Sequence, residues 1–491
     1  MNTTSSPLAK STRKPRHSLP GGSNHGKAEG FNGNHIMSQS GGKFSLENWF
    51  VHLMRPMNRG CLLLETPGGR RYQFGNHDPS KEAGIDLPKA HLRVLDSRFF
   101  RRCLTAGDIG FAESYMAGEW ECPDLTSLLR WFVVNAESAP TLSGTKRRNP
   151  LINPLRWLNR LRHLRRPNSL TMSRRNIEEH YDLSNEFFAT FLDAGMTYSS
   201  AIWPHPEATL EEAQEHKYRR LCALLRLKPG DRVLEIGCGW GGFAIHAARH
   251  FDCHITAITL SPSQYEYAMA RVEQEGLSRQ IHVSLRDYRT LKDSFDKIAS
   301  IEMLEAVGHR YHPCFAKACA RLLSSDGLFA LQFITCPDHR YQELRHGIDF
   351  IQKHVFPGSL LLSLNRMNHL FSKTGGFALS QLDDYGFHYA RTLREWAQQF
   401  ERNLPDVRSL GFDEGFIRKW RYYLSYCEAA FTEHHIGVVQ ALYSRPNNPR
   451  LRQNSIWSEH HIPIQRTPGI DMQEVRLNSY LHPIPGKIPA A

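Results

Sequence analysis

The sequence predicts an α/β protein with a parallel sheet that is covered on both faces by helices. The first observation is the segment 233–242, VLEIGCGWGG, in which the apolar residues of a buried strand run directly into four glycines. An amphipathic stretch over 243–250 follows and predicts a helix. The second observation is that short apolar runs and helical stretches alternate from about residue 176 onward. Such alternation is typical of parallel strands that are joined by crossover helices.

Six apolar runs are the predicted strands of this sheet. They are 232–236, 254–259, 281–285, 297–301 and 328–334, with 438–443 as a final edge strand. A helical insertion between 339 and 368 contains more apolar residues than a solvated loop needs. We expect this insertion either to cover the sheet or to line an apolar channel.

A small α+β domain over 44–140 is expected ahead of the sheet. The runs 60–65 and 71–74 flank Pro67-Gly68-Gly69 and predict a β-hairpin. The stretches 91–106, 109–116 and 125–134 are predicted to be helical.

Size and composition place the chain among large globular proteins. With 491 residues it is long enough for two or three domains, and its hydrophobic content of 41% supports a sizeable core. No apolar run is long enough to span a membrane and no signal peptide is recognisable, so a cytoplasmic location is expected. None of the ten cysteines forms a Cys-x-x-Cys pair, so no metal site is expected.

The net charge of +12 is concentrated in two segments. Residues 1–43 carry a charge of +5 in a polar tail that is expected to be disordered, and residues 146–175 carry +10 with no acidic residue. Within the predicted linker 141–176, leucines recur at helical spacing with arginines between them, a pattern that suits an anionic membrane surface. A linker helix packed on its own protein fits equally well, whereas no nucleic-acid-reading module accompanies the charge. The polar, proline-rich tail 446–491 is expected to be extended.

The order of the acidic residue and the glycines narrows the class of ligand that the predicted sheet is expected to bind. Glu235 precedes Gly237, Gly239 and Gly241, whereas the acidic residue of the dehydrogenase pattern follows its glycines. This arrangement resembles the first motif of S-adenosylmethionine (SAM) methyltransferases. A glycine-rich turn that binds no ligand is a simpler interpretation of the same residues.

Polar residues follow the next two predicted strands, where ligands of such sheets bind. Thr259, Ser261 and Gln264 follow the second strand and are candidates for binding a ribose or methionine group. After the third strand, Asp287 is a candidate acceptor for an adenine amine and Tyr288 for packing on the ring.

Nine segments in order along the chain resemble the cyclopropane-fatty-acid-synthase family. They are HYDLSNEFF (180–188), MTYSSAIW (196–203), VLEIGCGWGG (233–242), TLSPSQ (259–264), RDYR (286–289), EMLEAVGH (302–309), DFIQKHVFPG (349–358), YGFHYARTLREW (385–396) and SRP (444–446). The resemblance implies a Rossmann-like, doubly wound methyltransferase domain over 177–445 that uses SAM. A weaker similarity around 110–116 implies a lipid-handling role for the domain over 44–140.

The same resemblance implies a reaction on lipid. The SAM methyl group would be transferred to the double bond of an unsaturated phospholipid acyl chain, and a bound bicarbonate would remove a proton as a cyclopropane ring closes. The implied holders of bicarbonate are Ser200, Glu305, Gln332, Tyr389 and the backbone of Ile334. Tyr198 and Ser199 would contact the cofactor, and Glu235 and its glycines would hold the methionine end.

Three positions depart from the best-known bacterial members. Ser200 stands where they commonly have cysteine, and Ala306 and Gln332 stand where they commonly have histidine. These residues resemble a plant-type subgroup that also contains ring-forming enzymes. Loss of a different proton would give a methyl- or methylene-branched chain instead of a ring.

Two further functions fit the sequence, namely a methyltransferase with a non-lipid acceptor and a non-catalytic lipid-binding protein. The family resemblance also implies a homodimer. Together with the basic segment, it predicts peripheral association with the inner face of the membrane.

Overall fold

A computed structural model describes residues 45–75, 86–138 and 183–452. The predicted tail 1–43, the predicted linker 141–176 and residues 453–491 lie outside the described residues. From Leu46 onward the described chain belongs to one compact unit, within which the name N-terminal domain denotes residues 46–138 and the name sheet domain denotes residues 183–452.

The N-terminal domain contains a four-stranded sheet with the order β2-β1-β3-β4. Its strands are β1 (Cys61–Glu65), β2 (Arg71–Phe74), β3 (Lys89–Val94) and β4 (Trp120–Glu121). The predicted hairpin is confirmed, since β1 and β2 pair antiparallel. The helix predicted over 91–106 is wrong over 91–97, because β3 extends to Val94 and pairs parallel with β1, and the helix begins only at Arg98. Leu92 and Val94 are both buried, which is the two-residue period of a strand.

Three helices complete the described part of this domain. They are α1 (Leu46–Met54), α2 (Arg98–Met116) and α3 (Leu125–Val134), so the predicted helices over 109–116 and 125–134 are confirmed. Asp124 caps α3 by accepting a hydrogen bond from the Ser127 N–H. The backbone of α2 is interrupted at Gly107, where φ is 60° and ψ is −135°.

The main sheet has the strand order β11-β12-β9-β8-β5-β6-β7, with β10 paired to β9. Its strands are β5 (Arg232–Ile236), β6 (His254–Thr259), β7 (Ile281–Leu285), β8 (Phe295–Ile301), β9 (Leu323–Cys336), β10 (Leu362–Ser363), β11 (Ala378–Asp384) and β12 (Gly437–Ser444). Strands β5 to β9 run parallel, so the five predicted parallel strands are confirmed. The order reverses between β5 and β8, and ligands of such sheets bind at this reversal.

One strand assignment at the end of the chain needs correction. The run 438–443 is a strand, but β12 lies inside the sheet, antiparallel to both β9 and β11. The edge position belongs to β11, which was not predicted. Its sequence ALSQLDD is half exposed and ends in acidic residues, so it lacks the apolar run that marks the buried strands.

Twelve further α-helices occur in the described residues after residue 183. They are α4 (Asn185–Ala189), α5 (Leu210–Leu225), α6 (Gly242–Phe251), α7 (Pro262–Gln274), α8 (His312–Leu322), α9 (Tyr341–His346), α10 (Phe350–His354), α11 (Leu364–Leu370), α12 (Gly386–Arg402), α13 (Leu404–Ser409), α14 (Glu414–Thr432) and α15 (Pro449–Arg452). The prediction of an extended chain from residue 446 is wrong over Pro449–Arg452, where α15 forms. The Arg450 side chain on this helix contacts Asp326 at 2.7 Å. None of the described helices combines the length and hydropathy that a membrane span requires.

Helix α14 joins the sheet domain to the N-terminal domain. The Arg418 guanidinium donates to the carbonyls of Tyr115 at 2.5 Å and Trp120 at 2.9 Å. The insertion packs on the same helix, since the Phe350 and Tyr422 rings lie 4.7 Å apart between centroids. Buried side chains of both domains therefore form one continuous hydrophobic cluster around α14.

Candidate active site

A cleft of about 1170 Å³, including its open mouth, lies at the carboxyl ends of the central strands. Its floor is the turn between β5 and α6, and its walls come from the loops after β6, β7 and β8. Of the sequence-predicted residues, those that line it are Tyr198, Ser199, Glu235, Gly237, Gly239, Thr259, Gln264, Asp287 and Tyr288. Gly241 and Ser261 do not line it.

The glycine turn brings backbone to the edge of the cleft. Gly237 has φ of 85°, and a Cβ atom there would approach the Met303 Cγ atom to 2.6 Å. Gly239 has φ of 53°, but a Cβ atom there would meet no protein atom within 4 Å. The first glycine is thus required by the fold, whereas the second leaves open space beside the backbone of the cleft.

The carboxyl group of Glu235 lies beneath this turn. Its side chain is buried, and among the described residues its Oε2 atom has no hydrogen-bond partner. Burial raises the pKa of Glu235 well above its ordinary value, and the charge of Lys217 opposes this shift. A buried carboxylate oxygen without a donor is costly, so this atom is suited to a cationic or N–H group of a ligand.

Two of the three polar residues after β6 face the cleft. The Thr259 hydroxyl donates to the Gln264 Oε1 atom at 2.9 Å, which leaves the Gln264 amide nitrogen for a ligand. The Ser261 hydroxyl instead accepts from the Gln264 N–H at 3.3 Å and caps α7. Ser261 therefore acts on the helix rather than on the cleft.

Asp287 and Tyr288 follow β7, as the sequence predicts, and both line the cleft. The Asp287 carboxylate accepts from the Arg289 Nε atom at 2.8 Å and from a terminal guanidinium nitrogen of Arg289 at 2.6 Å. Both carboxylate oxygens thus already have a donor, and any adenine amine would share them with this ion pair.

Aromatic rings surround Tyr198 at the far side of the cleft. The ring centroids of Phe188, Trp396 and Phe356 lie 5.2, 5.4 and 6.1 Å from that of Tyr198. The Tyr198 hydroxyl donates to the Tyr423 hydroxyl of α14 at 3.0 Å. Faces of aromatic rings attract cations, so this group is suited to stabilising positive charge.

A buried lysine lies behind Ser199. The Lys217 ammonium on α5 donates to the Ser199 hydroxyl at 2.7 Å. Burial lowers the pKa of Lys217 to about 7, although the nearby carboxylates of Glu302, Asp193 and Glu235 oppose the shift. Lys217 is thus positioned to balance negative charge around the cleft.

Glu302, directly after β8, is the centre of the polar network. Its Oε1 atom accepts from the Ser200 N–H at 2.9 Å and from the Gln332 amide at 2.8 Å, and its Oε2 atom accepts from the Tyr389 hydroxyl at 2.8 Å. Its own N–H donates to the Gln332 carbonyl at 2.8 Å. Burial raises the pKa of Glu302, and these donors limit the rise. Three predicted bicarbonate holders therefore converge on a carboxylate of the chain itself.

Glu305 lies one turn further along. Its Oε1 atom accepts from the Ile334 N–H at 2.5 Å, so the backbone of Ile334 is a donor as predicted, although here to Glu305. Burial and the neighbouring charge of Glu302 raise the pKa of Glu305 to about 8. Glu305 is therefore largely neutral at pH 7, whereas Glu302 has the donors that a charged carboxylate requires.

A second cavity of about 1020 Å³, including its mouth, lies between the N-terminal domain and α14. Most of its lining is apolar and aromatic, with a few charged or titratable residues among the rest. The lining comprises Phe50, Met57, Cys103, Gly107, Asp108, Phe111, Leu129, Phe132, Val133, Ala136, Arg340, Leu344, Asp349, Tyr422, Tyr426, Ala430 and His435. Tyr423, on the same helix, accepts a hydrogen bond from Tyr198, so α14 lines the second cavity and contacts a lining residue of the cofactor cleft.

Comparison with known proteins decides the family. Residues 168–441 match the family described as mycolic acid cyclopropane synthetase. The chain belongs to the mycolic acid cyclopropane synthetase family. It is similar to the tuberculostearic acid methyltransferase UfaA1 of Mycobacterium tuberculosis, with 39% identity over 71% of this chain and 82% of the relative. It is also similar to the cyclopropane-fatty-acyl-phospholipid synthase of Escherichia coli (strain K12), with 33% identity over 81% of this chain and 99% of the relative.

Solved structures of family members have the same fold. The cyclopropane synthase MmaA2 from Mycobacterium tuberculosis aligns with a TM-score of 0.52 and 30% identity, covering 55% of this chain and 98% of that one. The mycolic acid cyclopropane synthase CmaA1, complexed with SAH and CTAB, gives the same values. The predicted Rossmann-like methyltransferase fold and the resemblance to cyclopropane synthases are thus confirmed. The protein is a SAM-dependent methyltransferase of this family.

The residues of the cleft fit SAM. The unpartnered Glu235 Oε2 atom is suited to the cationic amino group of the methionine end, and the space beside Gly239 admits a ligand against the backbone. The Gln264 amide and Tyr288 ring lie where polar and flat groups of a nucleoside can contact them. This is the arrangement that the glycine motif predicts.

The residues do not fit bicarbonate equally well. The Ser200 N–H, the Gln332 amide and the Tyr389 hydroxyl all donate to Glu302, and the Ile334 N–H donates to Glu305. The Ser200 hydroxyl donates to the Ala201 carbonyl at 3.0 Å. The donors of the predicted set are thus engaged within the described protein, and a further anion would also lie beside two carboxyl groups.

Lys217 was missed by sequence reasoning, whereas Glu302 stands, with Glu305, after a predicted strand where a doubly wound sheet places a catalytic group. Lys217 shares the apolar face of α5 with Leu210, Ala213 and Leu221, at positions three, four or seven residues apart. That spacing predicts burial of a lysine and could have revealed it. Glu302 is noticeable in the sequence beside Glu305, but its hydrogen-bond donors come from three distant segments and give no local signal.

Proposed function

We propose that this enzyme transfers the SAM methyl group to the double bond of an unsaturated phospholipid acyl chain and closes a cyclopropane ring. The observation that carries the proposal is that α14 lines a large, mainly apolar cavity and contacts Tyr198 of the cofactor cleft. Tyr422 and Tyr426 line the apolar cavity, and Tyr423 contacts Tyr198 in the cleft. An acceptor with a long hydrocarbon chain suits such a pair of cavities, whereas a nucleic acid would need an exposed cationic groove.

Bound SAM supplies an electrophilic methyl group on a sulfonium. The protein's own part is to exclude water and to stabilise the positive charge that develops on the lipid. The rings around Tyr198 are suited to that charge, since an aromatic face in a dry site attracts a cation. The polar side of the same site, where a proton can be accepted, is formed by Glu302, Glu305, Ser200, Gln332, Ile334 and Tyr389.

Labelled SAM tests this proposal directly. The purified protein is incubated with methyl-labelled SAM and vesicles of an unsaturated phospholipid, and label in the lipid fraction is counted. We expect transfer to unsaturated vesicles and none to vesicles of the saturated phospholipid with the same headgroup. SAM binding without label in either lipid would reject the proposal, and label in added RNA would favour a non-lipid acceptor.

A branched product is the second candidate, and one of the relatives supports it. UfaA1 is named a tuberculostearic acid methyltransferase, whereas the E. coli relative is named a cyclopropane-fatty-acyl-phospholipid synthase. Both outcomes share the first methyl transfer. For a methylene branch a hydride first shifts to the cationic carbon, and the new methyl group then loses a proton to form a double bond instead of a ring. Mild hydrogenation of the labelled lipid separates them, because it reduces a methylene branch and leaves the ring closed.

We further propose that the protein meets the inner face of a membrane reversibly, through the basic segment within 141–176. Its charge of +10 over 146–175 predicts attraction to anionic lipid that salt screens. Cosedimentation with anionic vesicles is expected to fall steeply as salt is raised, with little binding to zwitterionic vesicles at any salt concentration. Binding that does not change with salt would contradict this mode of contact.

We also propose that the protein is a homodimer. Sedimentation of the lipid-free protein, which gives its mass in solution, tests this proposal.

A further inference from the structure

The carboxylate of Glu302 occupies the centre of the donor set that the family resemblance assigns to bicarbonate. Its two oxygens accept from the Ser200 N–H, the Gln332 amide and the Tyr389 hydroxyl at 2.8 to 2.9 Å. Gln332 is itself fixed, because its Oε1 atom accepts from the Gln440 amide at 2.9 Å. The three donors to Glu302 come from a loop, a strand and a helix, so they are arranged around this carboxylate by the tertiary fold.

Glu302 also faces the cofactor. It lines the SAM cleft together with Met303 and Ala306, whereas Glu305 does not. Its backbone has φ of 48°, a left-handed conformation that residues other than glycine rarely adopt. Such strained residues are concentrated at functional sites, where surrounding contacts enforce them.

We propose that the Glu302 carboxylate is the proton acceptor of the methylation reaction and takes the place of a bound bicarbonate. The proposal rests on the lipid methylation proposed above. It assigns Ser200, Gln332 and Tyr389 to positioning Glu302 rather than to binding a free anion.

The step balances without another reactant. The alkene electron pair forms the new carbon–carbon bond to the methyl group, while the carbon–sulfur pair stays on sulfur and leaves a cation on the neighbouring chain carbon. Glu302 then takes a proton from the new methyl group, and the released C–H pair closes the ring. Glu302 ends as a neutral carboxyl group, whose proton must pass to solvent before the next turnover.

The neighbouring Glu305 is less suited to this role. The Ile334 N–H donates to its Oε1 atom, but its buried Oε2 atom has no hydrogen-bond partner among the described residues. The raised pKa of Glu305, to about 8, agrees with a neutral group beside a charged Glu302. Lys217 adds a positive charge near Glu302 and favours ionisation there.

Two variants and one condition test the proposal. Glu302→Gln is expected to lower lipid methylation at least ~100-fold, as loss of a general base does, with SAM affinity changed less than about threefold. Glu302→Gly frees the three donors, and because the backbone is left-handed the variant should fold well. Its activity is expected to be lost and then restored at least ~10-fold by added formate or bicarbonate, which enters the vacated site. Removing dissolved bicarbonate should leave the wild-type rate within about twofold.

Glu428→Gln is the matched control, because Glu428 is another buried glutamate, on α14, that binds Arg394 at 2.8 Å outside the cleft. It should keep the wild-type rate. Wild-type methylation that falls more than tenfold without bicarbonate, or a Glu302→Gln variant as active as this control, would overturn the role of Glu302. Anion rescue of Glu302→Gly excludes a purely structural role, and its failure would contradict the proposal. If the wild type methylates no lipid at all, the proposed function fails first and this step fails with it.

Discussion

Gly239→Val is expected to weaken SAM binding at least ~100-fold, which is about 2.7 kcal/mol. A Cβ atom at Gly239 meets no protein atom within 4 Å, so the new side chain would project into the space that the cofactor needs. Gly239 lines the cleft three residues after the end of β5, between the buried residues Cys238 and Trp240. Titration calorimetry with SAM measures the effect.

The positive φ of Gly239 would also strain a valine, and this cost must be separated from the clash. Gly276 offers a matched control, because its φ is 70°, a Cβ atom there would meet nothing within 4 Å, and it lies outside the cleft. Gly276→Val should lose comparable stability to Gly239→Val and bind SAM as the wild type does. Equal SAM affinity in both variants would contradict the assignment of the glycine turn to the cofactor.

Glu305→Gln is expected to change the pH dependence of stability strongly. The pKa of Glu305 is raised from 4.5 to about 8 by burial and by the charge of Glu302. Between these values the unfolded chain has released the proton and the folded protein retains it, so raising the pH favours unfolding. Glutamine has no such proton, so the variant should gain stability relative to the wild type by up to ~4 kcal/mol as the pH rises from about 5 to about 8.

Urea unfolding of both proteins at a series of pH values measures this difference. The variant keeps an oxygen for the Ile334 N–H, so the hydrogen bond to Glu305 Oε1 need not be lost. Glu273→Gln on the exposed surface of α7 is the control and should follow the wild type at every pH. A stability difference that stays constant over this pH range would mean that Glu305 ionises normally in the folded protein.

The parallel strands and the cofactor turn could be predicted because their signals are local. Val233, Leu234 and Ile236 are an apolar run that becomes the buried β5, and the glycines that follow form the turn. The spacing of buried residues along the chain also distinguishes a strand from a helix. The strand β3 was nevertheless predicted as part of a helix, because it has only six residues and ends three residues before the long helix α2.

The polar centre of the site could be predicted only in part. Resemblance identifies Ser200, Gln332 and Tyr389 as members of one site, and the structure brings them together. Their common partner is set by the meeting of β8, β9 and α12, which is a property of the tertiary fold. The edge strand β11 has the same origin, because pairing with β12 rather than its own apolar content makes it a strand.

The central claim is that a SAM methyl group reaches an acyl double bond in this site. The most direct measurement is mass spectrometry of an unsaturated phospholipid after reaction with SAM that carries a fully deuterated methyl group. Ring closure predicts one added carbon that retains two of its three deuterium atoms, in a product that resists mild hydrogenation. An unchanged phospholipid in the presence of bound SAM would contradict the claim.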